Sequence, residues 1–217
     1  MTLRIGLFGG SFDPIHYGHL LLAETCREAC QLDRVLFVPA AVSPHKQDQE
    51  PASGPQRLQM LKLAIAGHDA FDVSSLEVDR GGVSYTVQTL ELLHTETPAD
   101  WFLLMGADSL VEFPRWRNPQ RICELATPIV VQRFGSPDPD FSPLRDLLPA
   151  SRWEGAHMMV VAMPRIEISS SDLRARVARG ASIRFQTPRA VEEFIRQHRL
   201  YQQHHLSQLP GQTQTGS

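Results

Sequence analysis

Six short apolar runs punctuate the chain, at Leu3–Phe8, Arg34–Pro39, Phe71–Val78, Asp100–Met105, Pro128–Phe134 and Met158–Met163, each bounded by Gly, Pro, Ser or Asp. Runs of this length between turn formers predict strands buried on both faces. The segments between them carry a different period. His19–Cys30, Gln56–Ala66, Tyr85–Thr95 and Pro119–Leu125 repeat Leu, Ile, Met or Val three and four apart, the stripe of a helix lying on a core. Strand and helix in alternation predict an α/β chain, a doubly wound and mainly parallel sheet of about six strands. Ser169–Arg179 and Pro188–His198 then form C-terminal helices with no strand between them. Gly180 ends the first, and Thr187 caps the second with Pro188 at its first turn. After Tyr201 the chain turns rich in Gln, Ser, Thr and Gly, which predicts one domain over 1–201 and a disordered tail over 202–217.

The junction of the first strand and first helix reads Gly9-Gly10-Ser11-Phe12-Asp13-Pro14-Ile15-His16-Tyr17-Gly18-His19. Glycines let backbone approach an anion, Pro14 fixes one dihedral, and a helix starting near His19 turns its unpaired N–H groups and positive dipole end toward the same space. Gly6-x-x-Gly9-Gly10 is not the G-x-G-x-x-G dinucleotide spacing, and no G-K-S/T follows as a P-loop demands. The stretch therefore predicts a nucleotide-phosphate site of another kind. His16 and His19, three apart, also admit a zinc pair with His45 as third ligand, or simply exposed turn histidines.

Composition narrows the partners. With 217 residues, 42% hydrophobic and 21% charged, the chain is ordinary for a globular protein, and its net charge of −3 argues against a polynucleotide partner. No run of about 18 apolar residues occurs, so no membrane partner is expected. Cys26, Cys30 and Cys123 cannot all pair, and no leader pattern opens the chain, which predicts the reducing cytoplasm. Oligomeric state is left open, a homo-oligomer included.

Gly10-x-Phe12-x-Pro14-x-His16-x-Gly18-His19 resembles the phosphate-binding motif of the HxGH nucleotidyltransferase superfamily, whose members transfer AMP or CMP from a nucleoside triphosphate. Ile168-Ser169-Ser170-Ser171-Asp172-Leu173-Arg174 resembles that superfamily's second motif, I-S-S-T-x-I-R, with Ser171 for threonine and Leu173 for isoleucine. By itself, Ser169 to Asp172 is also a plain helix cap. The resemblance implies a Rossmann-like nucleotidyltransferase fold. It also implies an ATP site made by Gly9, Gly10, Ser11, Phe12, His16, Gly18, His19, Gly106, Asp108, Ile168, Ser169, Ser170, Ser171 and Arg174, with His16, His19 and Arg174 catalytic.

The segments between the two motifs, Pro39–Lys46, Gly82–Thr86, Gly106–Leu110 and Phe113–Trp116, resemble the bacterial nicotinate-nucleotide adenylyltransferase family. That likeness spans Ile5 to about Tyr201. It implies ATP and nicotinic acid mononucleotide as substrates, Mg²⁺ carried with ATP, and a mononucleotide site from Ser11, Phe12, His45, Lys46, Ser84, Tyr85, Thr86 and Trp116. Each residue has its own physical reading. Lys46 is a point charge after a strand end, or an exposed loop lysine. Ser84 predicts an N-cap that turns the amides of Tyr85 and Thr86 toward a carboxylate, and Trp116 offers a flat face to a pyridine ring or packs its loop on the core. Asp108, at the sheet's carboxyl edge, accepts from ribose hydroxyls, caps a short turn Ser109–Phe113, or does both.

The implied chemistry is displacement at the α-phosphorus of ATP. A phosphate nucleophile with a second pKa near ~6 is already ionised at neutral pH, so no base is required. The histidines, pushed toward the cationic form by nearby phosphates, are expected to be charge-stabilising donors. Rival readings are a transferase for nicotinamide mononucleotide or phosphopantetheine, a nucleotide-sensing module without turnover, and a zinc-dependent hydrolase.

Overall fold

In the computed structural model, residues 2–42, 52–133, 135, 138–145, 147 and 160–202 are described. Strands β1 (Leu3–Gly10), β2 (Arg34–Pro39), β3 (Phe71–Val73), β4 (Ala99–Gly106), β5 (Thr127–Arg133) and β6 (Val160–Met163) form one sheet in the order β3-β2-β1-β4-β5-β6, and every neighbouring pair is parallel. The direction of winding reverses between β1 and β4. A doubly wound sheet opens a crevice at that switch point, outside the strands' carboxyl ends.

Side chains alternate across the sheet, and the alternation builds two core layers. Phe102 and Leu104 of β4, with Ile129 and Val131 of β5, face one layer, while Trp101, Leu103, Met105 and Val130 face the other. The first layer is covered by α1 (Tyr17–Ala29), α2 (Gly54–Ile65), α8 (Ser170–Ala178) and α9 (Arg189–Gln197), through Ala23, Cys26, Met60, Leu61, Leu173, Val191 and Ile195. The second is covered by α4 (Thr86–Glu96), α5 (Ala107–Glu112), α6 (Pro119–Leu125) and α7 (Ser142–Arg145), through Val87, Leu90, Leu93, Leu110, Ile122 and Leu144. Gly6 marks the closest packing on β1, where a Cβ would stand 2.8 Å from Leu104 Cδ1 and 2.9 Å from Leu32 Cδ1.

Four expectations change. The strand expected over Phe71–Val78 stops at Val73, and Leu76–Arg80 is helix α3. Ser74 N–H makes a last bond to the Phe37 carbonyl at 2.9 Å, its hydroxyl takes the Leu76 N–H at 3.3 Å, and Ser75 Oγ reaches Asp79 Oδ2 at 2.5 Å, so two serines offer the backbone a helical turn in place of the ladder. Ser84 does not cap α4. Tyr85 does, while the Ser84 hydroxyl accepts the Ala41 N–H at 2.9 Å and ties the end of β2 to the approach of α4. Thr187 likewise yields the cap of α9 to Pro188 and donates its hydroxyl to the Ile15 carbonyl at 2.8 Å. Ser109–Phe113 is not a turn capped by Asp108: Gly106 is the N-cap of α5, and Asp108 lies in its first turn.

The tail from residue 203 onward, with His45 and Lys46, lies outside the described residues. Among the described residues no helix is long and apolar enough to cross a membrane.

Candidate active site

Strand β1 delivers Gly9 and Gly10 to the crevice, and α1 begins seven residues later with His16 as its N-cap. A cis Asp13–Pro14 bond lies in the intervening turn. The bare glycines serve packing more than expected. A Cβ on Gly10 would stand 3.0 Å from the Phe12 ring, and one on Gly18 would stand 3.0 Å from His16 Nδ1, whereas Gly9 and Gly106 have open space beside them. Phe12 holds a left-handed φ of 47° and is 1% exposed, its ring edge-on to Phe8 and to His19. Its side chain is core, so only its backbone can meet a nucleotide.

His16 and His19 stack with ring centroids 3.7 Å apart, and His19 Nδ1 accepts the His16 backbone N–H at 3.3 Å. An Nδ1 that accepts leaves Nε2 as the donating nitrogen, so His19 presents an N–H without needing a charge. Parallel rings are also poorly arranged to converge on one ion. Among the described residues no three His, Cys, Asp or Glu side chains form a metal-holding group.

The start of α1 is less open than its sequence implies. The Tyr17 N–H goes to the Gln186 carbonyl at 3.1 Å and the His19 N–H to the His16 carbonyl at 2.9 Å. The Gly18 N–H, in the first turn, precedes the first intrahelical bond. Helix α8 supplies more. Ser169 is its N-cap, its hydroxyl accepting the Asp172 N–H at 3.0 Å, and the Ser170 and Ser171 N–H groups precede the first intrahelical bond. The second motif is docked on the first: Ser170 Oγ donates to the Pro14 carbonyl at 2.9 Å, and Arg174 Nη1 to the Asp13 carbonyl at 2.7 Å. The Ile168 carbonyl also lies close to Gly18, 3.7 Å from where a Cβ would be. Residues some 150 positions apart thus form one donor-lined wall.

Three residues that brace the site escaped the sequence reading. Asp13 is 4% exposed; its Oδ1 accepts Ala52 N–H at 3.1 Å and Tyr201 O–H at 2.5 Å, and its Oδ2 lies 3.9 Å from Arg174 Nη1. Arg57, 3% exposed, donates to the carbonyls of Ser11, Ala40, Ala41 and Ala52 at 2.7–3.2 Å. Burial pulls its guanidinium below the ordinary arginine range, opposed by the Asp13 carboxylate. Burial also pushes the Tyr201 phenol up, reinforced by the charge of Asp13, so the phenol stays a neutral donor. A signal existed for Arg57, which shares the helical stripe of Met60 and Leu61, where an apolar residue belongs. Tyr201 carried none.

The second half of the crevice is a cavity of about 400 Å³ outside the ends of β1 and β4, lined by Gly9, Gly10, Ser11 and Gly106 on the motif side and by Ser84, Tyr85, Thr86 and Trp116 opposite. Thr86 opens α4, so its N–H and that of Val87 have no intrahelical partner. Trp116 lies 5.2 Å from the Phe113 ring and packs partly on the second core layer, so it both anchors its loop and walls the cavity. Arg117 sits over the Tyr85 ring at 4.5 Å. Glu77, buried on α3, also lines the cavity and accepts the Thr89 hydroxyl. Asp108 is exposed in the first turn of α5, outside this lining.

A family profile described as cytidylyltransferase-like matches residues 7–176. A relative from Roseiflexus sp. (strain RS-1), named "Probable nicotinate-nucleotide adenylyltransferase", is 47% identical over 197 residues, covering 91% of this chain and 97% of its own. One of the same name from Thermus thermophilus is 44% identical, covering 92% of this chain and 100% of its own. Among solved structures, the Plasmodium falciparum nicotinic acid mononucleotide adenylyltransferase complexed with NaAD superposes with a TM-score of 0.69 at 18% identity, covering 92% of this chain and 97% of that one, a likeness of fold.

Proposed function

Because the chain belongs to the cytidylyltransferase-like family, and within it to the nicotinate-nucleotide adenylyltransferases, we infer that it transfers the adenylyl group of ATP to nicotinic acid mononucleotide, as a step in NAD biosynthesis. The observation that carries the reading is the pairing of two sites in one crevice. A wall of donors from α1 and α8 stands beside a cavity closed by the start of α4 and by Trp116.

The reaction is in-line. A phosphate oxygen of the mononucleotide attacks the α-phosphorus of ATP, the bond from that phosphorus to the α–β bridging oxygen breaks, and pyrophosphate leaves with the electron pair. Both reactants are polyanions, so the protein's tasks are alignment and absorption of charge at the bridging and non-bridging oxygens. His19 Nε2, His16, the Gly18 amide, the Ser170 and Ser171 amides and Arg174 are the donors we assign to the triphosphate. Gly9, Gly10, Ser11 and the Phe12 backbone line the path between the substrates. Gly106 and Asp108, at the end of β4 and start of α5, are assigned to the adenosine side.

On the mononucleotide side, the open amides at Thr86 and Val87 with the positive end of α4 favour a carboxylate over a neutral amide. Trp116 supplies a ring face for the pyridine, and Ser84 holds the wall in place through Ala41. His45 and Lys46 remain assigned to the mononucleotide phosphate by resemblance alone. Mg²⁺ enters with ATP as part of the substrate. The groups assigned to the triphosphate are donors and cations, which fits an ion whose ligands are triphosphate oxygens and water.

Pyrophosphate release measured with ATP, Mg²⁺ and either pyridine mononucleotide tests the reading. Turnover is expected with the nicotinate form and to be much weaker with the nicotinamide form. Preference for the amide would overturn the role given to the α4 amides, and ATP binding without pyrophosphate release would favour a sensing module.

A further inference from the structure

Tyr201 closes the described C-terminal helices, yet its hydroxyl ends inside the first motif, on Asp13 Oδ1 at 2.5 Å. The residue adopts a left-handed φ of 62°, and Arg199 one of 52°, conformations that cost a non-glycine residue about 1 kcal/mol or more and persist when contacts over-determine them. The contact here is with a carboxylate that is 4% exposed. Ala52 N–H and the phenol meet Oδ1, while Oδ2 faces Arg174 at 3.9 Å, beyond hydrogen-bond range. The same guanidinium spends its Nη1 on the Asp13 carbonyl at 2.7 Å and sends Nη2 to Ser171 Oγ at 3.4 Å.

Arg174 is thus poised between a buried anion and the mouth of the triphosphate site. A carboxylate deprived of one strong donor in a desolvated pocket draws harder on the nearest cation. Arg57 has little left to answer that demand, because four of its five N–H donors are committed to carbonyls. Arg174 can, by closing the gap to Oδ2 and leaving the phosphates.

We propose that Tyr201 is a positioning residue for adenylyl transfer: by donating to Asp13 it keeps that carboxylate satisfied and leaves Arg174 available to the triphosphate. The proposal rests on the assignment of Arg174 to ATP made above. It gives the C-terminal turn a part in ATP binding that neither sequence motif contains.

Tyr201→Phe removes one oxygen at constant volume. Initial rates of pyrophosphate release, with ATP and nicotinic acid mononucleotide varied separately, are expected to show the KM for ATP raised about 5- to 30-fold and the mononucleotide KM within about twofold, the size of one charge-assisted hydrogen bond. In an Arg174→Ala background the same substitution is expected to add less than about a twofold change, because its effect passes through Arg174. Thermal unfolding of each variant accompanies the kinetics. A destabilised variant assayed below its midpoint loses kcat in proportion to its folded fraction with both KM values intact, which a purely structural role predicts and which would overturn the proposal. An unchanged KM for ATP in Tyr201→Phe, or equal effects with and without Arg174, also overturns it. If Arg174→Ala itself leaves the KM for ATP unchanged, the Arg174 assignment falls and this proposal with it. A null Tyr201→Phe beside an impaired Arg174→Ala sinks the proposal alone.

Discussion

One bond bears on the role proposed for His19. With Nδ1 held by the His16 amide at 3.3 Å, the nitrogen left to donate is Nε2. His19→Ala is expected to lower kcat by about 10²- to 10³-fold with a smaller change in ATP affinity, the range for loss of one transition-state donor, and steady-state kinetics with an unchanged kcat would refute the role. Gly18 is constrained by its neighbour. Gly18→Ala brings a methyl 3.0 Å from His16 Nδ1 and is expected to break the imidazole stack, lowering kcat well before it lowers the unfolding temperature. Trp116→Ala should raise the KM for the mononucleotide and spare that for ATP; equal increases for both would mean that the residue only orders its loop. His16, His19, Ser169–Arg174 and Trp116 were legible because their chemistry and spacing are written locally. Asp13 was not legible, although it lies within the first motif, because its partners stand at positions 52, 174 and 201.

The elements themselves follow local rules where nothing distant competes. Helix α6 keeps the predicted bounds Pro119–Leu125, with the Asn118 side chain accepting the Arg121 N–H, and α2 opens on a Ser53/Gln56 capping box. Ser169 caps α8 as Asn118 caps α6, its side chain accepting the N–H three residues on. Ser169→Ala is expected to cost about 0.5–2 kcal/mol, read as a shifted denaturant midpoint, and to raise the KM for ATP because the Ser170 and Ser171 amides lose their fixed aim. Failures of the local rules cluster around the crevice. Ser84 and Thr187 looked like caps, but each hydroxyl bridges to another segment, Ala41 in one case and Ile15 in the other. Leu76–Arg80 looked like strand, but Glu77 is taken by Thr89 and the serines before it close a helical turn. For Ser84 and Thr187 a tertiary partner outbid the nearest backbone amide; for Leu76–Arg80 local side-chain bonds outbid the strand ladder.

Across the molecule, the aromatic packing beneath β1 links stability to catalysis. Phe37 is fully buried and contacts the rings of Phe8, Phe12 and Phe71. Phe37→Ala is expected to cost about 3–5 kcal/mol in urea unfolding, and because Phe12 in turn abuts His19, to reduce kcat in the remaining folded protein. The chain's own pattern was enough to specify a parallel α/β sheet, most of its strand segments, and two helix starts of the kind that can hold a phosphate, because apolar period, turn formers and helix caps act over a few residues. Strand order, the docking of α8 onto the first motif, and the burial of Asp13 among Arg57, Arg174 and Tyr201 were decided only by the folded molecule. Those features depend on contacts between residues as much as 188 positions apart, which no local period encodes.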